Sequence, residues 1–358
     1  MTRASLARVV PPAACVDYLR CSPFMDTLVK ARALRTAIDL GVLTYLVPRE
    51  SVSLSALARS MGCDQKGTLL LVDLLVAAGV LTVRHEDILL SPEFKSILPY
   101  FDLLCTKLAL SGVLLADFSE HFTALISNPE KFRESATIFS LFEYTSAVNV
   151  DVSTYLRSKQ WVQLTSVLSK YEASPFLWLY PLDGSMHILD VGGNSGSFAS
   201  QLCQSCATQR VTVFDLPLIC SLGLNYVLPS PSVDRICFVA GDIRSDRLPA
   251  GYDVHVYKSF LHDWSDQDVR EHLTRSAMAL PSGGKVVIYE RITAQRDIPS
   301  SPWNFCDIPV LMFERSYRDP AFYLQILPQL GFLVTAANVM RLDQDFCLIE
   351  ATKVSADD

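Results

Sequence analysis

The sequence predicts an α/β protein: a mostly parallel, doubly wound sheet in the second half, preceded by a mainly α module of winged-helix type. Three observations carry this. After "PLDGS" (residues 181–185) short β-branched runs alternate with helical stretches, the pattern of a parallel sheet covered on both faces. The first of those runs opens into a glycine-rich turn, "LDVGGNSGSF", Leu189 to Phe198. Upstream, the order helix, turn, helix, hairpin is that of a winged helix.

The 358 residues are enough for two ordinary domains with their own cores. Half of them are hydrophobic and 19% are charged, which describes a folded soluble chain and excludes a disordered one. The net charge of −7 comes with no basic block, so nucleic acid is not an expected partner. No apolar run approaches the roughly 18 residues of a membrane span. The most apolar stretch, Leu108 to Phe118, is interrupted by Ser111 and Asp117 and reads as a buried helix. The first residues, "MTRASLARVVPPAACV", lack acids but also lack an apolar secretory core, and read as a frayed end. The ten cysteines have no ligand spacing, and the close pair Cys203 and Cys206 reads as helix packing, so no metal is expected. Unpaired thiols point to a reducing, cytoplasmic compartment.

In order along the chain, "PFMDTLVKARALRTAIDLGVLTYL" has helical apolar spacing and pauses at Gly41. A helix follows from about Leu54, a turn at "GCD", and a long helix from about Lys66 to Ala78. Two short strands, "LTVR" and "ILLS", then flank the polar turn "HED". The second helix carries one Lys and one Asp among apolar residues, whereas a DNA-reading helix needs polar and basic side chains. Burial against a second subunit suits it better, so residues 1–99 are read as a dimerisation module. Residues 100–182 stay helical and rich in aromatics, most of them expected in the core and a few lining an apolar substrate chamber. Residues 183–358 form the sheet domain, with strands at "HILDV", "VTVFD", "RICFVAGD", "YDVHVYKSF", "GKVVIYER" and "FCLIEATK". Ligands of such sheets sit at the carboxyl ends of the first strands.

The glycine turn does not fit the dinucleotide fingerprint G-x-G-x-x-G: with Gly196 last and Gly193 in the middle, the first place falls on Val191. It does fit an acid followed by small residues at alternate places: Asp190, Gly192, Asn194, Gly196. Asn is the non-glycine residue that best tolerates left-handed angles. That template belongs to S-adenosylmethionine (SAM) sites, where the backbone approaches the methionine end. Asp215 in "VFDLP" closes the next strand 25 residues on and can take both ribose hydroxyls. Asp242 in "AGDI" closes the third strand and can accept from the adenine amine, with Ile243 against the ring. Gly193, Leu216 and Gly241 belong to the same strand-end stretches. The fourth strand runs into "YKSFLHDWSDQDV", where His262 stands beside an acid and a large aromatic. Its Nε can take a proton from a substrate hydroxyl.

With these stretches in view, the chain resembles the SAM-dependent O-methyltransferases of the caffeate and acetylserotonin type. "HILDVGGNSGSF", "VFDLP", "AGDI", "YKSFLHDWSD", "ALPSGGKVVIYE" and "ERSYRD" match that family's motifs in order, and the amino-terminal module resembles its dimerisation domain. The resemblance implies a Rossmann-like methyltransferase domain and a homodimer. It implies that Gly192, Asp215, Asp242 and Lys258 hold SAM, that Trp264 stacks near the adenine, and that S-adenosylhomocysteine is the product. His262 would deprotonate the acceptor hydroxyl, with Glu290 and Glu314 flanking and orienting it. One region departs: plant members carry a glycine-rich stretch before "ERT", while "DIPVLMFERSYRD" has no glycine and Ser316 replaces Thr. The acceptor is therefore left as an aromatic or polyketide-like small molecule, as in microbial relatives acting on natural products or pigments. Carbon or nitrogen methylation, or chemistry that keeps SAM without transferring its methyl, stays open.

Overall fold

The structure, a computed structural model, describes residues 6–12, 15, 28–142, 151–292, 317–342 and 344–355. The described residues fall into two units, one of residues 28–138 and one of residues 6–12, 15, 139–142, 151–292, 317–342 and 344–355. Among the described residues no helix is long and apolar enough to cross a membrane.

In the first unit the helices Leu28–Asp39 and Val42–Leu46 are separated by Gly41 at φ +75°. Helix Leu54–Met61 is capped by Ser53 and stops at Gly62, which is left-handed. Helix Gln65–Ala77 starts where Asp64 Oδ1 accepts from the N–H groups of Lys66 and Gly67 at 2.8 and 3.0 Å. The hairpin Leu81–Arg84 with Asp87–Leu90 turns through His85 and Glu86, both at positive φ, as a two-residue hairpin demands. Val52–Ser53 adds a third strand that two apolar-polar residues were too few to announce. Helix Gln65–Ala77 buries Thr68, Leu71, Val72 and Leu75 while exposing Leu69 and Leu70. Its exposed face sets Leu69, Leu70 and Val76 beside only two charged residues, Lys66 and Asp73, unlike the polar and basic face of a groove-reading helix.

The stretch Leu108 to Phe118 lies inside the 27-residue helix Phe101–Ser127. Its Asp117 is buried and accepts from the N–H groups of Thr137 and Ile138 at 2.8 and 2.9 Å, so the charge is a chain tie. The aromatic-rich middle is less of a core than expected. Phe132, Phe176 and Tyr180 are buried, but Phe122, Tyr155 and Trp178 are exposed.

The second unit holds the sheet. Its strands are β1 (Ala7–Val9), β2 (His187–Val191), β3 (Arg210–Asp215), β4 (Ile236–Ala240), β5 (Val254–Lys258), β6 (Lys285–Arg291), β7 (Phe332–Arg341) and β8 (Asp345–Lys353). Their order is β1-β7-β8-β6-β5-β2-β3-β4, and only β8 runs antiparallel to its neighbours. Helices α1 (Val152–Leu179), α2 (Ser197–Ser205), α3 (Pro217–Val227), α4 (Asp266–Ala279) and α5 (Pro320–Gln329) cover it. The chain winds outward from β2 to β4, then returns to lay β5 on the other side of β2. That reversal opens a crevice at the carboxyl ends of β2 and β5.

Alternation sorts the strand residues between two cores. On one face Leu189, Val191, Tyr257, Ile288 and Cys347 pack with residues of α4 and α5. On the other, Ile188, Val254, Val256, Tyr289 and Phe346 pack with residues of α1 and α2. Two features differ from the sequence reading. The amino-terminal stretch is not frayed at residues 7–9: Ala7, Arg8 and Val9 pair with Asn338, Val339 and Met340, because an unpaired edge of β7 offers them hydrogen bonds. Strand β7, "FLVTAANVMR", was unread because its half-exposed small residues lack a β-branched run. Strand β6 includes Glu290 and Arg291, as the run "GKVVIYER" predicts, so these two residues face opposite sides of the sheet.

Candidate active site

The glycine turn follows β2. Gly192, Asn194 and Gly196 all have positive φ, at +71°, +53° and +71°, so the alternate spacing in sequence is an alternation of left-handed residues. Gly193, off that spacing, does not. A Cβ on Gly192 would lie 2.0 Å from the Phe260 ring, and one on Gly193 would lie 2.4 Å from the Asp190 carboxylate. The need for glycine at these two places comes from the protein's own side chains closing over the turn. Asn194 donates its N–H to Asp215 Oδ2 at 2.8 Å, and Gly196 opens α2.

Five carboxylates were expected at this end of the sheet, and the four described ones differ in their surroundings. Asp190 is buried, and its Oδ2 has no hydrogen-bond partner. Burial raises its carboxyl to about 7, against the pull of Lys258 and with the help of Asp215. Asp215 accepts from Leu216 N–H at 2.7 Å and from Asn194, yet burial still raises it to about 6. Asp242 lies two residues past β4, with Gly241 and the buried Ile243 on either side. Its carboxylate is gripped by Arg244, Nε at 2.9 and 3.0 Å and Nη2 at 2.7 Å, and that pairing holds it below the usual range. Glu314, with Ser316, lies outside the described residues.

Glu290 is fully buried and works with both oxygens. Oε1 accepts from the N–H groups of Phe260 and Leu261, each at 2.6 Å, and Oε2 accepts from His262 Nδ1 at 2.8 Å. The carboxylate thereby fixes the backbone of the turn after β5, the ring orientation and the tautomer. With the proton on Nδ1, the Nε2 lone pair is left as the acceptor. Nε2 is 3.6 Å from Asp263, and the Tyr317 ring lies 5.4 Å from the imidazole. Burial alone would lower the imidazole, but Glu290 and Asp263 outweigh it and the net shift is upward. Trp264 packs against Phe260 and, edge to face, against His272 at 4.6 Å, with its buried Nε1 unpartnered.

The structure thus gathers Asp190, Gly192, Gly193, Asn194, Gly196, Asp215, Leu216, Lys258, His262 and Glu290 at the carboxyl ends of β2, β3, β5 and β6. The residues fit a cationic adenosine cofactor. An unpartnered buried carboxylate oxygen on Asp190 suits an ammonium or sulfonium group, and Asp215 retains lone pairs for hydroxyls.

Sequence reasoning missed three residues, Glu172, Arg291 and Arg318, and the partner of a fourth, Lys258. Lys258 turns its ammonium to α1, where it pairs with Glu172 and lies 3.0 Å from Ser169 Oγ. Arg291 pairs with the other oxygen of the same Glu172 and donates to Ser259 Oγ at 3.1 Å. Arg318 is buried and fastens the His262 turn: Nη1 donates to Leu261 O at 2.9 Å, Nη2 donates to Trp264 O, and Nε meets Asp266 at 2.7 Å. The one available signal was Glu172 itself, an acid on the same helical stripe as Ser169 and the buried Phe176.

A family model described as an O-methyltransferase domain matches residues 127–333, and one described as an O-methyltransferase dimerisation domain matches residues 23–93. The mitomycin biosynthesis 6-O-methyltransferase of Streptomyces lavendulae is 25% identical over 316 residues, covering 83% of this chain and 84% of that protein. The 3-hydroxy-5-methyl-1-naphthoate 3-O-methyltransferase of Streptomyces sahachiroi is 38% identical over 109 residues, a match spanning 30% of this chain and 32% of that relative. Human N-acetylserotonin methyltransferase, solved in complex with SAM, shares the fold with a TM-score of 0.71 over 91% of this chain and 94% of that one, at 20% identity.

Proposed function

The chain belongs to the O-methyltransferase family, and from that premise we propose that it transfers a methyl group from SAM to a hydroxyl of an aromatic or polyketide-like small molecule, with His262 as the base. The observation that carries this reading is the contact of Glu290 with His262 Nδ1, which leaves Nε2 as a proton acceptor. Bound SAM supplies a methyl group already activated by its sulfonium. The protein has three tasks left: to hold the cofactor, to align the acceptor, and to remove one proton.

Asp190, Gly192, Gly193, Asn194, Gly196, Asp215, Leu216, Gly241, Ile243 and Trp264 would hold the cofactor, together with Asp242 and Lys258 acting from within their ion pairs. Asp215 would take the ribose hydroxyls and Asp190 a cationic group. His262 accepts the hydroxyl proton at Nε2, and Glu290 stabilises the imidazolium that forms. The family resemblance of "ERSYRD" would give Glu314 the role of a second carboxylate acting with the histidine. The acceptor class follows the relatives, whose names specify a naphthoate and mitomycin biosynthesis. The dimerisation domain, residues 23–93, would join two copies as a homodimer, and the unpaired thiols of the described cysteines suit the cytoplasm.

Calorimetric titration with SAM is the first test, and absence of binding at millimolar ligand overturns the cofactor assignment. Incubation with methyl-labelled SAM and hydroxylated naphthoates or benzoates should give a methyl ether. A product methylated on carbon or nitrogen would keep the cofactor and overturn the hydroxyl acceptor.

A further inference from the structure

Glu172 is buried on α1, and its two oxygens go to two different cations, Lys258 at the end of β5 and Arg291 at the end of β6. Burial raises its carboxyl, but Arg291 and Lys258 outweigh that and hold it at about 2. Around the cluster, Tyr289 donates its hydroxyl to Glu172 O at 3.2 Å, and the Arg291 guanidinium lies over the Phe346 ring at 4.7 Å. The cluster sets two cations around one buried anion, and Lys258 also pulls on the Asp190 carboxyl. Arg291 directly follows Glu290 in β6, so the carboxylate that holds His262 and the cation held by Glu172 project from neighbouring residues to opposite faces of the sheet. Arg291 also donates to Ser259, a residue at φ +49° where the chain leaves β5 for the His262 turn.

We propose that Glu172 is a positioning residue for the base: by holding Arg291 and Lys258 on the far face of the sheet, it keeps their charge from drawing on Glu290 and so sets the electrostatic balance at His262. The inference rests on the reading of His262 as the base. Among the described residues, the charged and titratable groups around that imidazole are Glu290 and Arg291 on β6, Asp263 in its own turn, and Tyr317 and Arg318 ahead of α5. Asp266 at the start of α4 is bound to Arg318. Of these, Arg291 is the cation whose effect opposes Glu290, and Glu172 is its counter-ion. Two charges in a poorly screened interior act across a sheet more strongly than they would in water.

The test is the proton titration of His262 read by NMR on ¹³C-histidine-labelled protein, with His262→Gln identifying its signal. Glu172→Gln adds one uncompensated positive charge and should move the midpoint to lower pH. Arg291→Gln removes one and should move it to higher pH. Glu172→Gln combined with Arg291→Gln restores the original net charge and should return the midpoint close to wild type. Removing one partner of a buried pair destabilises strongly; if Glu172→Gln alone fails to fold, Arg291→Gln against the double variant makes the same comparison. Midpoints that stay put in folded variants overturn the proposal. So do midpoints that all move in one direction, because loosened packing has no charge sign. The acidic limb of kcat/KM should follow the NMR midpoint across the set. If the midpoint moves and the limb does not, the role of Glu172 stands and the reading of His262 as base falls.

Discussion

Asp190 and His262 lie at the same end of the same sheet, yet their surroundings are opposite. Asp190 has a buried carboxylate oxygen with no partner and a carboxyl raised to about 7. His262 is bonded to a carboxylate that also fixes two backbone amides, and Arg318 ties its turn from outside. An unpaired buried acid is costly to the folded chain unless something else satisfies it. An imidazole held at Nδ1 with Nε2 open is ready before any ligand arrives. The first region is built to be completed by a cation, the second to act without rearrangement. Binding and chemistry should therefore be separable by mutation.

The largest separation comes from His262→Ala. It should lower kcat by roughly 10²–10⁴-fold while leaving the SAM dissociation constant within about twofold, as measured by steady-state kinetics and calorimetry. A loss of less than tenfold would remove His262 from the chemistry. Asp215→Ala works on the other region. Loss of hydrogen bonds to a charged group is worth about 1.5–3 kcal/mol, or roughly 10–100-fold in SAM affinity. The kcat at saturating SAM should change far less, and a kcat that fell as steeply would merge the two regions.

The pH dependence sharpens the same contrast. A cation binds better when Asp190 and Asp215 are ionised, and their raised values place that ionisation near 7 and 6. SAM affinity should strengthen as pH rises from 5 to 7, by up to about tenfold per unit for each proton released, and then level off. Asp190→Asn should flatten the upper part of that slope; a slope unchanged by it would mean that the carboxyl is not in contact with the ligand. The base behaves with the other sign of charge. His262 must be neutral to act, and its midpoint is raised, so kcat/KM should fall as pH drops through a value above that of an ordinary imidazole. The smallest effect belongs to Asn194. At φ +53°, Asn194→Gly should change SAM affinity little, whereas Asn194→Val would carry about 1–2 kcal/mol of backbone strain.

Much of the binding region was legible in sequence because its signals are local. The acid and three left-handed residues of Asp190 to Gly196 sit within one turn, and Asp215 ends a β-branched run. The His262 turn was legible for the same reason. The residues that organise these groups were not, because their partners are distant along the chain: Glu172 meets Arg291 across 119 positions, and Ser169 meets Lys258 across 89. The Asp242 and Arg244 pair is close in sequence, but two charges two residues apart do not say whether they pair or serve a ligand. Strand β1 shows a further limit. Three residues near a terminus have no periodicity to read, and they become a strand only because the edge of β7 is there.

That three-residue strand also makes the catalytic sheet discontinuous in the chain. Its edge is supplied by residues 7–9, the rest begins with β2 at His187, and the residues of the other unit intervene. A protein shortened to start at α1 would therefore lose more than its dimerisation module. It would bare the Asn338–Met340 stretch of the edge of β7, a template on which a second molecule can add a strand. Residues 7–9 cover that stretch of the edge, so a shortened protein should be more prone to strand-to-strand self-association than the full chain, as light scattering would read.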